Sequence, residues 1–328
     1  MTGSVSQPIA AVADEQLERL NEAIRRGLGP TIVSALDDPQ VEEVILNPDG
    51  SIWIVKAGVG MFYSGERLSA TRARNVMNII ASMLDTTVDA EKPILEGNLP
   101  LNGARFAGVI PPITIGPAFN IRKKAIFVYT LENYVTDGIL SVPHYSVLLE
   151  AVRGRKNILV IGGTASGKTT LLNAVIAAVA KHTPEHRLVV IEDTAEIQCT
   201  AENKLMAQTS RNVSMLDILK ATLRWRPDRI IVGEVRGPEA NALLKAWNTG
   251  HPGGAGTIHA NSCREGLLRV EQLIQESIAV INPHVIAAAI DLVVFITKEE
   301  DGGKRIVQQV AWVDGYDAAK QEYILRDV

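Results

Sequence analysis

The chain has 328 residues, a formal net charge of −4, 46% hydrophobic residues and two cysteines. Its isoelectric point lies near 5.9 and its mean hydropathy is +0.10. That balance excludes a protein coated in positive charge for duplex DNA, though a local basic groove stays open. Cys199 and Cys263 stand far apart without a Cys-x-x-Cys pair, so a tetracysteine zinc site is excluded and two reduced thiols in a cytoplasmic protein are expected. The length predicts two domains. The first residues lack a charged start followed by an apolar run, so no signal peptide is expected. No uninterrupted apolar window of ~18 residues occurs, so membrane contact is expected to be peripheral or through a partner.

Residues 1–13 lack periodicity and read as a loose tail. Asp14 then stands where it can cap a helix whose Leu17, Leu20, Ile24 and Leu28 fall at helical spacing. That helix is either a docking element for a membrane surface or partner, or a domain-packing helix with a solvated face, which is favoured. Gly29-Pro30 is expected to end it. Short strands follow at 41–46, 52–55 and 61–63, with a turn at Asn47-Pro48-Asp49-Gly50. Ser69 is placed to cap a helix running to about Leu84, and further strands are expected at 103–109 and 118–122. This first stretch predicts a smaller α+β domain over residues 1–138, with residues 132–143 as a polar linker.

From there strands and helices alternate. Residues 145–152 read as a helix, 158–162 as a strand, 171–179 as a helix and 187–192 as a strand. Helices are expected at 215–223, 238–249, 262–278 and 283–290, with strands at 229–233 and 255–259. Alternation of this kind predicts an α/β domain over residues 139–328, with a mostly parallel sheet covered by helices on both faces. The end differs. Strands at 292–297, 307–313 and 322–325, with turns at Gly302-Gly303 and Asp314-Gly315, read as an antiparallel meander.

The densest chemical signal is Gly162-Gly163-Thr164-Ala165-Ser166-Gly167-Lys168-Thr169-Thr170, which follows an apolar, β-branched run and precedes a helical one. Its spacing is that of a phosphate-binding P-loop, and the strand before and helix after supply the context that confirms it. Glycines let successive N–H groups turn toward one anion, and the helix adds its positive end. Lys168 can reach the β- and γ-phosphates of ATP, and Thr169 can offer its hydroxyl to Mg²⁺.

Such a loop needs a carboxylate near Mg²⁺ and a group that positions or activates water. Glu234 leaves the end of the apolar strand 229–233, and Glu192 and Asp193 end the strand 187–192. Glu234 is the favoured base; Glu192 and Glu234 are both candidate metal ligands. His251 and His259 flank a glycine-rich loop and short strand, where either could sense the γ-phosphate. Arg224, Arg226 and Arg236 are candidate phosphate or interface cations. Arg105 and the run Arg122-Lys123-Lys124 are either solvated strand ends or cations that meet the phosphates.

The residues carry a resemblance. The P-loop, Ile191-Glu192-Asp193-Thr194-Ala195-Glu196, the stretch 223–237 containing Arg229-Ile230-Ile231-Val232-Gly233-Glu234, and the stretch 249–261 resemble, in order, the Walker A, Asp box, Walker B and His box of the type II/IV secretion ("traffic") ATPase superfamily. Within it the chain is similar to the ATPases of type IV secretion and conjugation. The resemblance implies a RecA-like P-loop domain, a ring of six copies and ATP held between an N- and a C-terminal domain. It further implies phosphate contacts by Arg105 and Arg122, catalytic roles for Lys168, Glu192, Glu234 and His259 or His251, and peripheral association with inner-membrane components of the apparatus. Other readings are a pilus motor of the retraction or tight-adherence type, a single-stranded nucleic-acid translocase, and a non-hydrolysing scaffold. The acidic charge and the lack of a basic-aromatic run count against strong DNA binding.

Overall fold

The computed structural model describes residues 8–99, 101–124, 128–210, 212–278, 280–299 and 304–328, with backbone alone for residues 8–16. The expected loose tail lies partly outside them, as does the Gly302-Gly303 turn. The chain divides into two compact units, Met1–Ile126 and Phe127–Val328.

The first unit runs α1 (Pro8–Asp37), β1 (Val41–Leu46), β2 (Ser51–Lys56), β3 (Gly60–Arg67), α2 (Ala70–Met83), β4 (Ile94–Asn98), β5 (Arg105–Val109) and β6 (Ala118–Arg122). Asp14 does not cap α1, because the helix already begins at Pro8. Gly29, at the non-helical φ 82° and ψ 167°, ends the first helical stretch as expected, and Pro30 opens a second with its φ already set. On both sides of the kink the apolar stripe does what a packing helix requires. Ile24, Leu28 and Ile32 are fully buried with Val76, Met77 and Ile80 of α2, each worth roughly 1.5–3 kcal/mol of transfer free energy. Gly27 lets the two helices approach, since a β-carbon there would sit 2.3 Å from Val76 Cγ2. Ser69 caps α2 as its position suggests, accepting the Arg72 amide.

The strands form one antiparallel sheet in the order β3-β2-β1-β6-β5-β4. Val44, Leu46, Ile52, Ile54, Phe106, Phe119 and Ile121 face the helices; residues between them face the other way. Gly50 closes the β1–β2 turn at φ 85°, and a side chain there would meet the Leu68 carbonyl at 2.5 Å.

The second unit runs α3 (Leu131–Thr136), α4 (Val142–Arg153), β7 (Ile158–Gly162), α5 (Lys168–His182), β8 (Leu188–Glu192), β9 (Lys204–Gln208), α6 (Met215–Thr222), β10 (Arg229–Val232), α7 (Glu239–Asn248), β11 (Ala255–His259), α8 (Cys263–Gln275), α9 (Pro283–Ala289), β12 (Leu292–Lys298), β13 (Arg305–Asp317) and β14 (Glu322–Asp327). Its sheet has the order β14-β13-β12-β7-β11-β10-β8-β9. Neighbours from β12 to β9 pair in parallel, and β13 and β14 extend one side antiparallel. β7, β8 and β10 are buried along their whole length, which a parallel strand covered on both faces demands. One core packs α6 to α9 on one face; a second packs α3 to α5 on the other.

The stretch expected to be a linker is structured. Thr130 and Asn133 form a reciprocal cap for α3, and Leu131, Tyr134 and Leu140 are buried in the core beneath α4 and α5. That burial ties residues 128–138 to the second unit.

Candidate active site

Parallel pairing brings four strand ends to one edge. β7 ends in Gly162, β8 in Glu192 and β11 in His259, while the chain leaves β10 through Gly233 and Glu234. His259 lies opposite Gly162 in register, and Val232 opposite Ile191. In an open α/β sheet this is the edge where ligands bind.

The loop after β7 has the backbone that its glycines and small residues permit. Ala165 and Gly167 adopt positive φ, 56° and 99°. A β-carbon at Gly162 would lie 2.4 Å from the Ile296 carbonyl, and one at Gly167 would lie 2.9 Å from Arg305 Cδ. The β12–β13 pair therefore abuts the loop from behind, a constraint that the motif's spacing alone does not reveal. Gly167 is the N-cap of α5 and brings no side-chain cap, so the first amides of that helix are not capped by it. Thr164 and Ala165 are exposed, Gly163, Thr169 and Thr170 are half-buried, and Ser166 is buried.

Lys168 is buried at 7% exposure. Its Nζ donates to the Gly163 carbonyl at 2.7 Å and stands 3.2 Å from His259 Nδ1. His259 Nε2 in turn lies 2.9 Å from Glu234 Oε1, and Glu234 Oε2 accepts from Arg236 at 2.6 Å. An ammonium only donates, so Nδ1 of His259 accepts and its proton sits on Nε2, which donates to Glu234. Burial and the neighbouring Lys168 charge push the His259 pKa down; the Glu234 carboxylate opposes them without prevailing. His259 thus bridges lysine and glutamate as a neutral imidazole, and the short contact to Glu234 is a charge-assisted hydrogen bond. Burial raises the Glu234 pKa, but the Arg236 guanidinium, His259 and Lys168 together outweigh it and hold the carboxyl below its ordinary range.

The other candidates separate by place. Glu192, 4% exposed, turns Oε1 to the amides of Glu196 and Ile197 at 2.8 and 2.6 Å, which staples the turn after β8. His251 precedes β11, and Arg224 and Arg226 precede β10, so all three lie at the opposite edge of the sheet from Lys168. Arg105 and Arg122 belong to the first unit, where they are directly opposite each other on β5 and β6. Like charges so placed repel; Arg122 is partnered by Glu43 at 3.4 Å. Asp193, 3.7 Å from Arg236, joins the polar set. Its place with Glu192 at the end of a buried strand marked it as a candidate carboxylate, and the contact to Arg236 is what the sequence did not show.

Among the described residues no cluster of three or more His, Cys, Asp or Glu is placed to hold a metal ion. Mg²⁺ is commonly held by one or two carboxylates together with substrate phosphates, so no such cage is required. The donors at this edge are oxygens, the Thr169 hydroxyl and the Glu192 and Glu234 carboxylates, and they fit that ion.

Comparison with known proteins agrees with the geometry. Residues 28–311 match the family described as type II/IV secretion system protein. The chain belongs to that family. With this loop and this edge it is a secretion-system ATPase. It is 46% identical over 298 residues to the conjugal transfer protein TrbB of Rhizobium radiobacter, covering 91% of each chain. It is 44% identical to the probable conjugal transfer protein TrbB of Sinorhizobium fredii, covering 93% of each. A crystal structure of the pilus retraction motor PilT with bound ADP shares the fold, with a TM-score of 0.61 and 20% identity over 90% of this chain and 82% of that one. Among the described residues no helix is long and apolar enough to cross a membrane.

Proposed function

We propose that this chain is a Mg²⁺-dependent ATPase that works as a ring of six copies and powers conjugative transfer through a type IV secretion apparatus. The observation that carries the chemistry is the chain of contacts from Gly163 through Lys168 and His259 to Glu234. It joins a phosphate-binding lysine to a carboxylate at the next strand edge but one. The machine is argued from the relatives, two of which bear conjugal-transfer names at 44% and 46% identity. The likeness to a retraction motor is one of fold.

In this reading the loop amides of residues 162–170 and the α5 N-terminus hold the phosphates. Lys168 leaves the Gly163 carbonyl and His259 for the β- and γ-phosphates, and His259 then takes up the γ-phosphate's arrival. Thr169, with Glu234 or Glu192, would hold Mg²⁺, which would supply positive charge against the negative charge that develops on the phosphates. Glu234 accepts the proton of the attacking water as its oxygen bonds to the γ-phosphorus and the bond to the departing ADP oxygen breaks. Arg105 and Arg122 are further candidate phosphate cations in this reading, with a smaller α+β domain over residues 1–138 and a RecA-like P-loop domain over residues 139–328. The ring associates peripherally with inner-membrane components, and DNA is bound weakly at most.

The test is steady-state ATP hydrolysis with and without Mg²⁺, beside Lys168→Ala, with mass measured by light scattering. Lysine-dependent turnover by a species near six subunits is the expected result. A monomer that binds ATP and does not turn it over, with or without membranes carrying the apparatus, would sink the reading.

A further inference from the structure

Arg236 stands at the edge of the site without belonging to the loop, the strand-end carboxylates or the histidine. Its backbone is pinned: Glu239 Oε1 accepts the amides of Arg236 and Gly237 at 2.7 and 2.9 Å. Glu239 itself is 7% exposed, so the anchor is buried and fixed. From that anchor the guanidinium reaches two carboxylates that follow different strands. One nitrogen meets Glu234 Oε2 at 2.6 Å; the other stands 3.7 Å from Asp193 Oδ2. Asp193 is fixed in turn, its Oδ1 accepting from the Thr209 hydroxyl at 3.0 Å.

From these contacts we infer that Arg236 is a positioning residue for the hydrolytic carboxylate, held between Asp193 and Glu234 so that Glu234 presents Oε1 to the phosphate edge. This rests on the ATPase reading above. Sequence alone offers Arg236 as a phosphate or interface cation; its contacts give it a different task. Glu234 has two oxygens. Arg236 occupies Oε2, and Oε1 faces His259 on the P-loop side. When Lys168 moves to the phosphates, His259 loses one of its two partners, and Arg236 remains the cation that fixes the carboxylate's rotamer. A fork suits this task, because a guanidinium can address two carboxylates at once whereas an ammonium is a point charge. Beside Arg236 opens a cavity of about 370 Å³, lined by Asp193, Thr209, Ser214 and Glu239 among others. A guanidinium that lost either carboxylate would have room to turn away into it.

The experiment uses the full chain and four variants: Arg236→Gln, Arg236→Lys, Asp193→Asn and the double variant Arg236→Gln/Asp193→Asn. It reads kcat, KM, the Kd for a fluorescent ADP analogue and the melting temperature. Loss of such supporting contacts commonly costs about 10–100-fold in activity. The expected result is a fall in kcat of about tenfold or more for Arg236→Gln, with KM and Kd within about twofold, and a smaller fall for Arg236→Lys. Asp193→Asn should lower kcat by a few-fold, and the double variant should be no worse than Arg236→Gln alone, since both act through one carboxylate. A rise in KM or Kd with kcat intact would make Arg236 a phosphate contact and overturn the inference. Unchanged kinetics, or additive losses in the double variant, would overturn it too. Should Arg236→Gln fail to fold, Arg236→Lys and Asp193→Asn still decide. Lys168→Ala in the same assay separates the two levels: turnover that survives it defeats the ATPase reading, whereas lysine-dependent turnover with indifferent Arg236 variants defeats only this inference.

Discussion

The two edges of the large sheet use polar residues in opposite ways. At the P-loop edge the polar side chains form a single file, from Lys168 to His259 to Glu234 to Arg236, and His259 keeps 43% of its side chain exposed. At the other edge two polar side chains are sealed. Arg229 is 1% exposed, donating to the Val152 and Gly253 carbonyls at 2.8 and 3.1 Å and to His186 Nδ1 at 3.0 Å. Burial, ahead of the neighbouring Arg155 charge, lowers its pKa to about 10, which still leaves it charged at neutral pH. Asn157, 3% exposed, accepts the amides of Gly253 and Gly254 and donates to the Ala289 carbonyl. Backbone partners at that edge cannot leave without unfolding something. Side-chain partners at the P-loop edge can exchange for phosphate. One edge fixes the start of β11, and the other lets its end, His259, respond.

The contrast can be broken by substitution. Lys168→Ala should cut ATP turnover by at least about a hundredfold, because it removes a cation aimed at developing charge, while thermal unfolding moves little. A comparable melting shift with little loss of turnover would reverse the assignment of edges. Arg229→Met should do the opposite. It leaves two buried carbonyls and an imidazole nitrogen without their donor, at a cost of about 3 kcal/mol. That corresponds to a melting temperature roughly 6–12 °C lower for a unit of this size, with KM for ATP close to wild type. Glu234→Gln sharpens the first edge: kcat should fall by roughly a hundredfold with ATP affinity retained, and retained turnover would mean that Glu234 is not the base.

The smallest effect belongs to neither edge. Lys181 donates to Glu132 Oε1 at 2.9 Å, and that hydrogen bond, chiefly, holds the Glu132 pKa down at about 2 against a usual 4.5. A carboxyl whose folded pKa is depressed contributes stability above its unfolded pKa and loses it as pH falls, here between 4.5 and about 2. Both side chains are well exposed, so water and salt screen the pair to below about 1 kcal/mol. Lys181→Met should flatten the acid side of the stability profile by that amount, less at high salt. A larger loss, insensitive to salt, would show that the pair is not behaving as a surface contact.

Much of the second unit's framework was legible because buried parallel strands announce themselves as apolar runs, as 158–162, 188–192 and 229–232 do. β9 escaped notice because it is an edge strand whose residues alternate between exposed and half-buried, so Lys204 to Gln208 carries only the three-residue apolar run Leu205-Met206-Ala207. β4 escaped for a similar reason, with Leu95 its one buried residue and Gly97 in its interior. α3 is short, and its signal was the cap, Thr130 with Asn133, rather than periodicity. At the candidate site the P-loop and the strand-end carboxylates were visible as motifs. The partners were not, because Lys168 and His259 are 91 residues apart. Only strand order makes them neighbours, and only strand direction sends His251, Arg224 and Arg226 to the far edge. Arg229 was hidden for another reason: an arginine entering a strand reads as a solvated end, and nothing local says that it will be buried.

The most direct single measurement is the rise in melting temperature on adding ATP, made side by side on the wild-type chain, Lys168→Ala and Arg229→Met. A ligand at a hundred times its Kd adds about 2.7 kcal/mol to stability. The account predicts the same increment in the wild type and in Arg229→Met, although the latter starts from a lower temperature, and little or none in Lys168→Ala. An increment that survives in Lys168→Ala, or vanishes in Arg229→Met, would contradict it.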